Sequence, residues 1–512
     1  MPFFEPRGVN AALLVRATVF LLVPMLSTAA VAADESPVQL HARSNPKASD
    51  LVCPATPAAA PPTSSSRARR HRAPSGVMPG SADLDMLPAM ASVPQEPISP
   101  ELLEGFRLPN PGSGRVLRVG FWGDSHLAAA FLNEELTRIL KSRKLEVAST
   151  YLPPTVGRPG VRLPLRKHCL SARWDFQPAY LSPTAGQRAG PALATLQAST
   201  RGEFLWLDLR DQRKQATVKR VRIFHLPSSR GAAVTVSMDG GRAYRIRIPK
   251  GGEATHPESI QITASEHVST LKIQVSGGVF QLQGIQLMRD DRPQVEMDLF
   301  AFPSATIRAW AMLDANYLQD SLADTTYDAV VLEYGTNEGN VDPFDAERYA
   351  DTLEAALSQF RQVFPAASCL LMGPTDRGRL LPASRGAMSR EARSEQLLHH
   401  SRIHQSIVSI QRQAAARHGC AQWDWQAYMG GMGGAYRWAL AKPPLAAHDL
   451  IHLTPAGYRQ TAGALAKVLG WDPVPAPAIP FEPTPPRSSV AFSSLAAAAS
   501  GEEKDEWTPH SD

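Results

Sequence analysis

The hydrophobic period changes twice along this chain, and that change limits the possible folds more than any single residue does. From about 204 to 289, apolar residues recur at every second position. The runs include "FLWLDLR", "VKRVRIF", "AAVTVSMDGG" and "STLKIQVSGG", with turn signals at Asp239-Gly240-Gly241 and Gly277-Gly278. Side chains alternate across a strand, so this pattern predicts an antiparallel sandwich in which one face of each strand is buried. On either side the pattern differs. Val116–Leu140 reads as an apolar strand followed at once by a helix, with Leu127, Phe131, Leu132, Leu136, Ile139 and Leu140 on one face. Beyond about 294, "AVVLEYG" (329–335), "CLLMGP" (369–374) and "AQWDW" (421–425) alternate with helical patterns. One helix covers 345–363, with Tyr349, Leu353, Ala356, Leu357 and Phe360 sharing a face, and a longer one lies around 389–417. Strands apolar almost throughout belong to parallel sheets buried on both faces. The expectation is an α/β domain (99–160 and 293–473) interrupted by an inserted antiparallel β-sandwich (161–292).

The ends of the chain read differently. Arg7 and Arg16 flank a short apolar core that closes on Ala30-Val31-Ala32, the small-x-small pattern of a secretory signal over residues 1–32. The apolar run is interrupted by Pro24 and is too short to span a bilayer comfortably. No later segment approaches that length, so no membrane span is expected once the signal is removed. Residues 33–98 and 474–512 are rich in Pro, Ala and Ser without periodicity and read as a flexible linker and tail. The full chain carries a net charge of +5, and loss of two arginines and one glutamate with the signal lowers it by one. That is too mild for 512 residues to indicate a nucleic-acid partner. The run Arg67-Ala68-Arg69-Arg70-His71-Arg72 reads as solvated linker, with attraction to anionic wall polymers as the sharper alternative. Four cysteines, Cys53, Cys169, Cys369 and Cys420, show no metal-ligand spacing. Cys369 and Cys420 each open a short apolar run, as strands of one sheet edge would. A disulfide between them is the expectation, and buried free thiols are the alternative.

Three short blocks in the α/β part carry reactive groups. They are Gly123-Asp124-Ser125-His126, Gly335-Thr336-Asn337-Glu338, and Asp449-Leu450-Ile451-His452-Leu453-Thr454. Each adjoins a position where an α/β sheet presents loops at the carboxyl ends of its strands. Ester cleavage by a serine needs a base, a carboxylate to orient that base, and donors for the developing oxyanion. Ser125 fits the nucleophile, His452 the base, and Asp449 the orienting group three residues away. Asn337 and the Ser125 N–H are candidate oxyanion donors. Each alone has a plainer reading: Ser125 a helix cap, Asn337 a turn residue, His452 a half-buried histidine, Asp449 a turn cap.

In order and wording the three blocks resemble the SGNH (GDSL-type) hydrolase superfamily. Its first block carries the nucleophilic serine, its third an oxyanion asparagine in GxN, and its fifth a D-x-x-H pair. The resemblance implies catalytic Ser125, Asp449 and His452, a small parallel sheet between helix layers (an SGNH-type α/β/α domain), and no metal or organic cofactor. A β module after the serine block, "MGGMGG" (Met429–Gly434) with Trp438 nearby, and "GPTDR" (Gly373–Arg377) resemble exported bacterial peptidoglycan O-acetylesterases. The insert would then be a jelly-roll-like, carbohydrate-binding module, with Trp206, Phe224 and Tyr244 as a possible sugar platform or, more simply, as sandwich core.

One block departs from the pattern. The second family block supplies a glycine whose N–H completes the oxyanion hole, and in "DLFAFPSATIRAW" (Asp298–Trp310) that position falls on Ser304, after Pro303. A serine keeps the N–H, so the donor survives only if the backbone does. The expected activity is removal of O-acetyl groups from an O-acetylated cell-envelope polysaccharide, peptidoglycan first, by an exported periplasmic or wall-associated protein. The alternatives are an O-acetyltransferase on the same fold and a non-catalytic wall-binding protein.

Overall fold

A computed structural model describes residues 38–42, 51–54, 77–85, 87, 97–110, 112–251, 256–322, 325–381 and 389–472. The expected signal segment 1–32, the Arg67–Arg72 run and the expected tail 474–512 lie outside these residues.

Six parallel strands form the central sheet. In spatial order they are Ala421–Trp423, Ser368–Met372, Ala329–Glu333, Leu117–Gly123, Val295–Ala301 and Val147–Ala148. The Leu117–Gly123 strand is central because it is apolar on both sides. Leu117, Val119 and Phe121 face one helix layer and Trp122 the other. The first layer packs Phe131–Ser142 against Pro455–Val468. The second packs Ala346–Val363 against Arg308–Met312 and Arg390–Arg417. Leu353, Ala356, Leu357 and Phe360, expected on one helical face, are fully buried there. The chain leaves the central strand toward one sheet edge and later returns on its other side. The carboxyl end of Leu117–Gly123 is therefore a topological switch point, where open α/β sheets place their sites.

The inserted module is a two-sheet sandwich. One sheet runs Tyr244–Ile248, Ala232–Met238, Thr270–Gly278, Phe204–Asp208 and Lys167–Leu170, all antiparallel. The other orders Glu258–Ala264, Val218–His225, Phe280–Arg289, Ala194–Ala198 and Asp175–Pro178. The alternation read from sequence is the inward set: Leu205, Leu207, Val221, Ile223, Val234, Val236, Ile260, Ile262, Leu271 and Ile273 form one core. Phe224 belongs to the seam instead, buried and stacked near Tyr151. Trp206 is half-buried, with the Lys272 ammonium 5.4 Å from its ring centroid.

Two boundaries differ from the expectation. Tyr151–Leu152 already pairs with Phe280–Arg289, so the module begins ahead of residue 161. Its first residues are tied to the parallel sheet by Asp298, which is buried and accepts hydrogen bonds from Ser149 Oγ (2.8 Å), Thr150 N (2.7 Å), Tyr151 N (2.9 Å) and Tyr327 Oη (2.9 Å). The second difference lies within 33–98, expected as linker. Val38–Ala42 adds a strand parallel to Glu258–Ala264, Cys53 is bridged to Cys169, and Leu87 packs with Leu397, Leu398, Tyr436 and Leu450. A five-residue strand is too short to show a period, and backbone pairing needs no particular side chains. The expected Cys369–Cys420 disulfide is present, across the neighbouring strands Ser368–Met372 and Ala421–Trp423.

Candidate active site

The strand Leu117–Gly123 ends where a side chain no longer fits, because a Cβ on Gly123 would lie 2.7 Å from Glu333 Oε2. Asp124 then caps a four-residue helix, accepting from His126 N at 2.9 Å, and Ser125 is the first residue inside it. The plain N-cap reading thus applies to Asp124, and the cap is what presents Ser125 at the end of the sheet. His452 Nε2 lies 3.1 Å from Ser125 Oγ, and His452 Nδ1 lies 2.7 Å from Asp449 Oδ2. The other Asp449 oxygen accepts the Ile451 and His452 N–H groups, each at 3.0 Å. Asp449 and His452 are placed by one loop, pinned by Ala447 N to His452 O and by Thr454, which caps the last helix through Gly457 N.

The electrostatics of this pair have a definite sense. Burial works against the Asp449 carboxylate, but the His452 hydrogen bond and charge outweigh it and pull its pKa down to about 2. Burial likewise disfavours the His452 imidazolium, yet Asp449 and, farther off, Asp124 raise its pKa above the usual 6.5. The pair favours His⁺–Asp⁻, the state reached when a serine proton is transferred. Beneath His452 sits His126, fully buried, its ring centroid 5.6 Å away, with Nδ1 3.1 Å from Tyr458 Oη. Burial, then the charge of His452, holds His126 neutral, well below its usual pKa.

On the other side of Ser125 stands Asn337. Its Nδ2 donates to Asp124 Oδ2 at 3.1 Å and to Ala305 O at 2.9 Å. Both amide hydrogens are therefore engaged, and an oxyanion must share one of them. Ser304 is exposed and adopts φ 68°, the left-handed conformation that favours glycine. Holding a serine in that conformation costs on the order of 1–2 kcal/mol. Among the described residues nothing accepts from its N–H.

Sequence reasoning missed what holds these donors together. Glu338 accepts from Ile307 N (2.7 Å) and Gly335 N (3.0 Å), tying the Ser304 loop to the Asn337 loop. Burial pushes its pKa up to about 7. Glu333, fully buried, accepts the Asp124 N–H at 3.1 Å, and burial drives its pKa far upward. Asp124 is raised by the same cause to about 6. Glu333 could have been noticed as an acid ending an apolar strand, whereas Glu338 looks like any glutamate in a turn. Thr375 of "GPTDR" reaches His126 Nε2 at 3.4 Å. "MGGMGG" wraps Asp376 instead of lining the serine: Met429 Sδ accepts from Asp376 N, and Ala435 N donates to Asp376 Oδ2.

Residues 283–460 match the family model described as GDSL-like Lipase/Acylhydrolase family. The matched stretch holds Ser304, Asn337, Asp449 and His452, while the Ser125 block lies upstream across the insert. No curated protein matches the sequence. Among solved structures, a peptidoglycan O-acetylesterase is 21% identical, with 72% of this chain and 93% of that chain covered at a TM-score of 0.52. That likeness is one of fold. A carbohydrate esterase family 2 enzyme from Corynascus thermopiles (Myceliophthora fergusii) covers 58% of this chain and 100% of its own, at 14% identity and a TM-score of 0.23. A family two carbohydrate esterase from Cellvibrio japonicus covers 58% and 98%, at 10% identity and a TM-score of 0.22. The three blocks thus stand at the carboxyl edge of a parallel sheet, and over 283–460 the chain is similar to the GDSL-like lipase/acylhydrolase family.

Proposed function

We propose that this protein is a serine esterase that removes O-acetyl groups from a cell-envelope polysaccharide, with peptidoglycan as the first candidate. The observation that carries the reading is the continuous relay from Asp449 through His452 to Ser125 Oγ, with contacts of 2.7 and 3.1 Å. Ser125 Oγ attacks the acetyl carbonyl while its proton passes to His452 Nε2. The N–H groups of Ser125 and Ser304 and the Asn337 amide receive the oxyanion. Collapse breaks the ester bond, and His452 returns the proton to the departing sugar oxygen. His452 then takes a proton from water, whose oxygen attacks the acetyl-serine; the acyl–Oγ bond breaks, His452 returns that proton to Ser125 Oγ, and acetate leaves.

The choice of substrate is supported by the fold likeness to a peptidoglycan O-acetylesterase. Export to an oxidising compartment is supported by two disulfides and by the leader-like pattern of residues 1–32, which lie outside the described residues. Among the described residues no helix is long and apolar enough to cross a membrane. Acetate release from O-acetylated peptidoglycan and from 4-nitrophenyl acetate, compared with the Ser125→Ala protein, tests the proposal. Release from both, lost in the variant, is the expected result. Cleavage of the nitrophenyl ester without wall deacetylation rules out peptidoglycan and directs the search to other glycans and to acetyl transfer. No turnover of any acyl donor overturns the esterase reading.

A further inference from the structure

Asp376 and Arg377 are adjacent charges in opposite circumstances. Asp376 is buried and fully engaged, accepting from Ser401 Oγ (2.5 Å), Gln426 Nε2 (2.8 Å) and Ala435 N (2.9 Å). Arg377 is half-buried and, among the described residues, its side chain makes one hydrogen bond, from Nη2 to Asn340 Oδ1 at 3.0 Å. Its Nε is enclosed with no partner, and among the described residues it forms no ion pair. A guanidinium withdrawn from water is costly unless it meets an anion, and this one has five donors of which most are unspent.

Its position is fixed from both sides. Thr375 O accepts from His404 Nδ1 at 2.7 Å, and Gly378 N donates to Leu450 O at 2.9 Å. A side chain on Gly378 would strike the Tyr436 ring at 2.9 Å and Leu450 Cβ at 3.1 Å, so this turn is pressed onto the Asp449–His452 loop. Arg377 accordingly lies within electrostatic reach of Asp449, His452 and His126. Asp449 does not neutralise it by contact, because its oxygens are taken by His452 Nδ1 and two backbone N–H groups. Arg379 faces the same guanidinium and adds positive potential to this side of the site, while burial and then the charge of Arg377 pull His400 down to about 4 and keep it neutral.

We propose that Arg377 is an anion-recognition residue of the active site, which seats a carboxylate of the acetylated glycan beside the ester that Ser125 attacks. The assignment rests on the esterase reading and adds to it a substrate class, acetylated sugars bearing a carboxylate. The planar fork of a guanidinium matches a carboxylate in two parallel hydrogen bonds, which a neutral sugar hydroxyl does not require. An anion so placed also offsets the field that Arg377 exerts against the protonated His452 of the transition state.

The test uses 6-O-acetyl-N-acetylmuramic acid and its lactyl methyl ester, which differ in charge and little else. The wild-type protein is expected to favour the free acid by about tenfold or more in kcat/KM, mostly through KM. In Arg377→Gln that ratio falls to near one, and Arg377→Lys restores part of it. A wild-type ratio near one, or an Arg377→Gln protein that loses both substrates equally with the ratio intact, overturns the proposal. Calorimetric binding of the two probes to Ser125→Ala, with and without Arg377→Gln, gives a readout independent of turnover. If no ester is cleaved and the free acid still binds in an Arg377-dependent way, the esterase reading fails while the anion site stands. If neither probe shows Arg377-dependent binding, the anion site fails.

Discussion

The loops at the carboxyl edge of the parallel sheet and the interior of the β-sandwich obey different rules. In the sandwich, Leu207, Ile223, Val234 and Ile273 point inward in strict alternation, and the backbone pairs across long antiparallel ladders. In the loops the pattern breaks. Three acids, Asp124, Glu333 and Glu338, crowd under the serine, Ser304 and Leu450 hold positive φ, and Asn337 shares its amide between two acceptors. One region is stable because every residue agrees with its neighbours. The other is held in a costly arrangement by the packed sheet beneath it, which is how reactive geometry is maintained.

If that contrast is right, substitutions in the loops should act on rate and those in the sandwich on stability. The largest effect belongs to Ser125→Ala, which is expected to reduce ester turnover by about 10⁴-fold or more with little change in the unfolding midpoint. Asn337→Ala should cost about 10²- to 10³-fold in kcat, measured on a chromogenic acetyl ester. A loss below fivefold would mean that Asn337 only braces Asp124 and the Ala305 carbonyl. In the sandwich, Leu207→Ala should lower stability by about 2–5 kcal/mol in chemical denaturation while kcat on a small ester holds. A parallel fall in kcat would show that the two regions are coupled through the Asp298 knot.

The pH profile sharpens the account of the relay. His452 must be neutral to accept the serine proton, and Asp449 raises its pKa. The kcat/KM of the free enzyme should therefore rise with pH through a pKa above 6.5. Asp449→Asn removes the opposite charge, so the limb should move to lower pH as the rate falls. An unmoved limb would assign the titration to another group. The smallest effect is expected for Ser304→Gly. Relief of the φ 68° conformation is partly offset by the freer unfolded chain, leaving a gain of about 0.5 kcal/mol or less with the rate maintained. A destabilisation there would mean that the serine side chain holds the loop.

Much of this architecture is legible in the sequence. The period-two runs between about 204 and 289 carry the sandwich, because alternation is imposed by the pleat itself. The blocks around Ser125, Asn337 and Asp449–His452 were legible because their residue types have few other reasons to occur together at strand ends. Val38–Ala42 and the Cys53–Cys169 bridge were not, since both depend on a partner more than a hundred residues away. Trp206 and Phe224, similar in sequence context, were separated only by the structure, which buries Phe224 in the seam and leaves Trp206 partly open under Lys272.

By itself the sequence determined the two kinds of layer and the reactive residue types, because both are local: a period is set by backbone geometry, and a hydroxyl, imidazole or carboxylate carries its chemistry anywhere. The tertiary structure decided the distances and charge states. Ser125 and His452 are 327 residues apart and meet at 3.1 Å only because parallel strands bring every carboxyl end to one edge. Burial in the same packing pushes the Asp124 carboxyl up to about 6 and that of Glu338 to about 7, shifts no sequence position carries by itself.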